Sequence, residues 1–298
     1  MTMRCLLFFL MLLTAAPAAA QSRDGIGNGR LFDNDMLGDG HDRWRTGSFV
    51  FSHLRAPRPY DGTAQPFGAL LEYRFRSEII APYRRNGDRP YAGVLSLGLH
   101  THFGQGDTQF SLGGDVMAIG PQTGLADFQR GFHSTFGLRR PKTQNALPDQ
   151  FAIHTTAEAR QTIHLGDTTT LRPFIEGQTG AEDLIRAGAD LILGSAVGQR
   201  DLLLRDVVTG QLYRGTQDDA QGISFVLGGD VAAAGDSLYL PDSQGAAPRE
   251  TRTRARAGVH WQPVPGLALF YGATYLGPEF KGQDESQVVG SLKLNFNF

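Results

Sequence analysis

Polar and apolar residues change places at every second position through most of this chain, and that period confines it to strands with two unlike faces. Leu71, Tyr73 and Phe75 alternate with Glu72, Arg74 and Arg76. His154, Thr156, Glu158, Arg160, Thr162 and His164 share one face, with Ile153, Thr155, Ala157, Ala159 and Ile163 on the other. Arg252, Arg254, Arg256 and His260 stand opposite Ala255, Ala257, Val259 and Trp261. The final segment sets Val288, Leu292, Leu294, Phe296 and Phe298 against Ser291, Lys293, Asn295 and Asn297. Glycine supplies 38 of 298 residues, nearly twice its usual share of ~7%. Each glycine inside a helix costs ~1 kcal/mol relative to alanine, so a helix-rich fold is excluded.

Alternation has two solutions. In a soluble sandwich the apolar face points inward and the polar face meets water. In a membrane barrel the apolar face meets lipid and the polar face lines the lumen. Three features favour the barrel: the many charges on the polar faces, the aromatic last residue and the first twenty residues. Arg4, the apolar residues 5–13 and Ala18-Ala19-Ala20 before Gln21 read as a secretory signal peptide over 1–20, leaving one domain over 21–298. The apolar run is shorter than the ~20 residues that span a bilayer as a helix. The only cysteine, Cys5, leaves with that peptide, which excludes a disulfide framework and a cysteine nucleophile. With 28 Lys+Arg against 30 Asp+Glu and no basic stripe, a nucleic-acid partner is excluded. The expected location is the outer membrane, with its lipids as neighbours.

Strands are expected over 26–35, 44–54, 68–77, 91–103, 108–119, 151–165, 170–180, 187–197, 222–234, 251–262, 266–276 and 287–298. Twelve is an even number, as single-chain bacterial barrels require. The connections 120–150 and 235–250 should be outer loops. The long connection 198–221 falls on the periplasmic side, where short turns are expected. With both termini periplasmic, Asn34, Asp35, Thr46 and the loop after the fifth strand converge at the outer rim. In that loop Leu125, Phe128, Phe132 and Phe136 recur at helical spacing and predict a short amphipathic helix, with Gln129 and His133 one turn apart on one face.

Asp33-Asn34-Asp35, followed by Asp42-Arg43-Trp44-Arg45-Thr46-Gly47, resembles the N-terminal motif of the outer-membrane lipid A 3′-O-deacylases of the LpxR type. Gly87-Asp88-Arg89-Pro90-Tyr91-Ala92-Gly93 is similar to a second hallmark of that family. Gly120-Pro121, then Gln129-Arg130-Gly131-Phe132-His133, is similar to a third. The resemblance runs from about Leu31 to the C-terminus. It implies a twelve-stranded antiparallel barrel that removes a 3′-linked acyloxyacyl chain from the lipid A of lipopolysaccharide, with calcium and a histidine base. Carried over by motif, His133 is the base, and Asn34, Asp35 and Thr46 belong to the active site. Family members often carry Tyr-Thr-Asn-Gly where this chain has Arg45-Thr46-Gly47-Ser48, a departure that bears on substrate specificity.

Read by their own chemistry, the same residues leave alternatives open. His133 is either a neutral base that takes a proton from water or a solvated loop histidine. Asp33, Asp35, Asp39 and Asp42 crowd one hairpin tip, and hard oxygens suit Ca²⁺, with Asp35 as ligand. Leu37 rules out an EF-hand. The other reading is an acidic loop bridged by divalent ions to lipopolysaccharide phosphates. Gln129 and Arg89 are candidates for holding substrate, Arg89 through a phosphate or, instead, as the ion-pair partner of Asp88. Thr46 points inward with Ser48 and Ser52, as catalyst or as polar lining. His100, His154 and His164 read as lumen-facing. No G-x-S-x-G elbow, H-E-x-x-H or Walker A loop occurs. The rival to an enzyme is a pore or a structural or adhesive barrel.

Overall fold

The computed structural model describes residues 23–84, 88–197, 201–216 and 220–296. The expected signal peptide, Gly87 and Phe298 lie outside the described residues. Among them, no helix is long and apolar enough to cross a membrane. Twelve antiparallel strands close a ring instead: β1 (Asp24–Asn34), β2 (Trp44–Ala56), β3 (Leu70–Ala81), β4 (Ala92–Gln105), β5 (Thr108–Ile119), β6 (Gln150–Gln161) with its short continuation β7 (Ile163–Gly166), β8 (Thr169–Thr179), β9 (Glu182–Gly194), β12 (Gly222–Ser237), β13 (Thr251–Val264), β14 (Leu267–Leu276) and β15 (Gln287–Phe296). Strands adjacent in the chain pair with each other, and β1 pairs with β15 to remove the free edges. A two-stranded hairpin, β10 (Leu203–Arg205) and β11 (Leu212–Arg214), stands apart from the ring.

The twelve expected segments are all present, with shifted ends. Asp35 leaves the first strand and opens a 3₁₀ turn over Asp35–Leu37. The eighth expected strand, β9, starts at Glu182, five residues early, because Glu182 pairs inside with Arg45 and Arg252. His164 does not face the lumen. The strand breaks at Thr162, every residue of β7 is exposed, and His164 sits 3.8 Å from Asp107 at a turn.

Burial decides between the two readings of the alternation. Along β13, Arg252, Arg254, Arg256 and His260 are buried while Thr253, Ala255 and Ala257 are exposed. On the outside, Leu97, Phe151 and Ile153 are 67%, 74% and 72% exposed, which only lipid can cover at acceptable cost. Many buried charges inside are paired, Arg186 with Glu176 and Asp230 and Arg256 with Asp190 and Asp230.

Within the connection 198–221, too long for a periplasmic turn, the described residues 201–216 fold back into the lumen as the β10–β11 hairpin. Arg205 lies between Glu158 (2.6 Å) and Asp190 (2.9 Å) of the wall. The Arg254 guanidinium donates to the carbonyls of Val207 and Val208, and Gln211 donates to those of Ala257 and Ala273. Leu204 and Tyr213 pack with Leu54 and Phe270. A cavity beside the hairpin, lined by Arg45, Glu182, Arg186 and Arg252, measures about 30 Å³, room for one or two waters. The purified barrel in planar bilayers should therefore show no open-channel conductance. Stable ion-conducting steps would mean that the hairpin leaves the lumen.

Candidate active site

The outer rim above β1 and β2 is shaped by two local departures from regular strand. Trp44 opens β2 with φ +49°, an outlier for a bulky residue. Its indole N–H donates to Asp88 (3.2 Å), and the Arg43 guanidinium stacks on it at 4.5 Å. Immediately after, the β2–β3 register slips between Arg45 and Gly47, a bulge at Thr46. Bulges re-aim side chains. Here Arg45 turns into the lumen to Glu78, Glu182 and Glu279, while the Thr46 hydroxyl donates to Asp42 at 2.6 Å in the rim loop.

Asp42 is the meeting point. Its Oδ1 also accepts from Gln129 Nε2 at 3.2 Å, and its Oδ2 lies 3.8 Å from His133 Nδ1. Gln129 and His133 come from helix α1 (Leu125–Thr135), and both are buried. The helix ends where Gly137 takes φ +65°, with Leu138 N–H donating to His133 C=O (2.8 Å), a Schellman-type turn that only glycine enters freely. That turn brings the Arg139 carbonyl back onto the histidine ring, 2.5 Å from Nδ1. A carbonyl only accepts, so Nδ1 carries the proton, and Nε2 of the neutral ring is left with the lone pair.

Asn34 and Asp35 stand beside this group. Asn34 follows inward-facing Leu31 and Asp33 by strand parity on the outer face of β1. Its Oδ1 accepts from Met36 N–H at 2.9 Å, and its amide nitrogen lies over Gly47, 3.3 Å from where a Cβ would be. Asp35 is fully buried; its Oδ2 accepts from Arg43 N–H at 2.8 Å, and its Oδ1 has no partner. Burial pushes its carboxyl up to about 8, the charges of Asp42 and Asp39 add to the push, and the Arg43 N–H and Thr46 hydroxyl oppose it. The four crowded aspartates separate: Asp33 turns inward to Ser48 and Ser291, and Asp39 binds Arg43 and Val288 N–H. Among the described residues no group of three or more acidic, histidine or cysteine side chains forms a metal cage.

Arg89 does not join the site. It is 1% exposed and pairs with Glu279 beneath the rim, so its guanidinium reaches neither Asp88 nor an external phosphate. Its motif is structural: Asp88 accepts from the Trp44 indole and from the N–H groups of Tyr83, Arg84 and Arg89. Tyr91 bridges to Ala146 and so ties the helix-bearing loop to the wall. Asp42 was legible only as one acid among four, and its place at the centre depends on the loop that Trp44 turns.

The family model described as outer membrane protein LpxR matches residues 6–298. Among solved structures, LpxR from Salmonella typhimurium is 17% identical with a TM-score of 0.73, covering 91% of this chain and 100% of that one. The NanC porin is 6% identical with a TM-score of 0.42, over 91% of this chain and 100% of that chain. The translocator domain of autotransporter NalP from Neisseria meningitidis is 12% identical with a TM-score of 0.42, over 98% and 96%. No curated protein matches.

Proposed function

The chain belongs to the LpxR family of outer-membrane proteins, and on that premise we propose that it is a carboxylic ester hydrolase that removes a 3′-linked acyloxyacyl chain from lipid A. The observation that carries this reading is the convergence of His133, Gln129 and Thr46 on Asp42 at the outer rim. His133 Nε2, with its tautomer held by the Arg139 carbonyl, takes a proton from water as the water oxygen attacks the acyl carbon. The same nitrogen returns that proton to the departing sugar oxygen. Asp42 carries the opposite charge beside the imidazolium that forms between these steps. Gln129 is held by its amide nitrogen and keeps a buried Oε1 without a partner, suited to a substrate N–H or O–H. The Asn34 amide nitrogen is a neutral donor for the developing oxyanion.

The residues present fit calcium in one respect: Asp35 Oδ1 is a buried hard oxygen without a partner, and Asp42 adds charge nearby. Asp35 would hold the ion, with other oxygens completing its shell. Bound there, calcium would supply positive charge to the ester oxygen.

Mass spectrometry of lipid A from cells with and without the expressed protein tests the reading. Loss of the mass of one acyloxyacyl group supports it, and unchanged lipid A from cells that hold the folded barrel sinks it. Asp42→Asn should lower kcat by about 10–100-fold, equivalent to the ~1.5–3 kcal/mol of a hydrogen bond to a charged group. Asp42→Glu should restore part of the loss. Equal rates in Asp42→Asn and wild type would remove Asp42 from the mechanism.

A further inference from the structure

Helix α1 is amphipathic in the wrong sense for a loop covered by water. Its polar side chains Gln129 and His133 are buried, while Phe128, Phe132 and Phe136 remain 65%, 46% and 65% exposed. The three rings run together, with centroids 6.3 Å and 4.7 Å apart, and exposed Leu138 extends the row. An apolar patch of this kind marks a surface that something covers.

The wall beneath says what covers it. Gly93 faces outward on β4, and a Cβ there would lie 2.5 Å from Thr123 Oγ1 and 3.1 Å from Leu125 Cβ. The start of the helix therefore rests on the outside of the barrel rather than over the lumen. Further down the same outward face stand Leu97 and Leu99, with Phe151 and Ile153 on β6, all exposed. The aromatic row of α1 thus continues the lipid-facing band of β4, on which its start rests, and of β6, which follows its loop. At the other end, Arg139 and Arg140 are exposed. Aromatic side chains on one face with arginines beside them are the composition of a helix lying at the boundary of acyl chains and headgroups.

We propose that α1 is an interfacial anchor, with Phe128, Phe132 and Phe136 immersed in the acyl chains of the outer leaflet and Arg139 and Arg140 at the level of the headgroup phosphates. The helix that carries Gln129 and His133 is then pressed onto Asp42 by the membrane on one side and the barrel on the other. The inference rests on outer-membrane placement and not on ester hydrolysis, so the two can fail separately.

The chain has one cysteine, which makes site-directed spin labelling direct. In a Cys5→Ser background, a nitroxide would be attached in turn at Phe128→Cys, Phe132→Cys and Phe136→Cys. Leu97→Cys serves as the lipid reference and Asp107→Cys, in a turn, as the aqueous one. Heat-modifiable migration would show that each barrel is folded before reconstitution into bilayers. The ratio of collisions with oxygen to collisions with a nickel chelate should shift at the three helix sites from the Asp107 value to that at Leu97. Using three sites guards against one label disturbing the helix. If all folded variants instead give the Asp107 value, the helix lies in water and the anchor is overturned, whatever the protein does to lipid A.

Discussion

Replacing His133 by alanine should lower kcat for lipid A deacylation by about 10²–10⁴-fold, the usual contribution of a positioned general base. Which ring nitrogen is available decides this. The Arg139 carbonyl claims the proton on Nδ1, so the lone pair is on Nε2. A base needs a free lone pair to act, and alanine offers none. Hydroxide replaces activated water at high pH, so the deficit narrows there. His100→Ala supplies the contrast. His100 is buried in the lumen against Asp115 at 3.1 Å, away from the rim, and its loss should leave the rate near that of wild type. The two variants should migrate as folded barrels, so the comparison reads chemistry and not assembly. A His133→Ala protein that deacylates at the wild-type rate ends the base assignment, while the barrel and the family membership stand.

The barrel was legible because lipid and lumen impose opposite demands on adjacent residues, and each strand carries that demand locally. Arg252, Arg254 and Arg256 alternate with Thr253, Ala255 and Ala257 whatever lies across the lumen. The plug was not legible, because its residues are buried on every side and show no period. Arg205, for instance, is specified by Glu158 and Asp190 on two different wall strands. The site was legible in part. Helical spacing placed Gln129 and His133 on one face, and strand parity placed Asn34 at the rim. The same spacing left open which face the helix buries, and the structure buries Gln129 and His133 and exposes the phenylalanines. Periodicity reports two unlike faces and does not say which solvent each meets. Arg89 shows the remaining gap: its partner Glu279 lies 190 residues away, beyond any local pattern.

Chelation of divalent ions should abolish hydrolysis and leave the barrel folded. The ladder of twelve strands holds itself by backbone pairing all round the ring, so the mobility of the unheated protein on a gel is unchanged in excess chelator. The rim differs, because Asp35 Oδ1 is buried without a partner and Asp42 repels it. A proton and a calcium ion would compete for that carboxylate. Burial raises the Asp35 carboxyl from 3.8 to about 8, so between roughly pH 4 and 8 the folded rim holds a proton that the unfolded chain has released. The folded state binds more protons in that window, so the stability contributed at this site falls as pH rises through it. Calcium bound at Asp35 would have to displace that proton, and its apparent affinity would rise over the same window, by up to ~10-fold per pH unit for one proton released. The calcium concentration that half-restores activity to chelated protein should therefore be higher at pH 6 than at pH 8. Asp35→Asn should lose the activity and the calcium response together, since an amide offers a weaker oxygen and no charge. Hydrolysis that persists in excess chelator, at any pH in this range, would take calcium out of the reaction and leave the acidic rim as a contact for lipopolysaccharide.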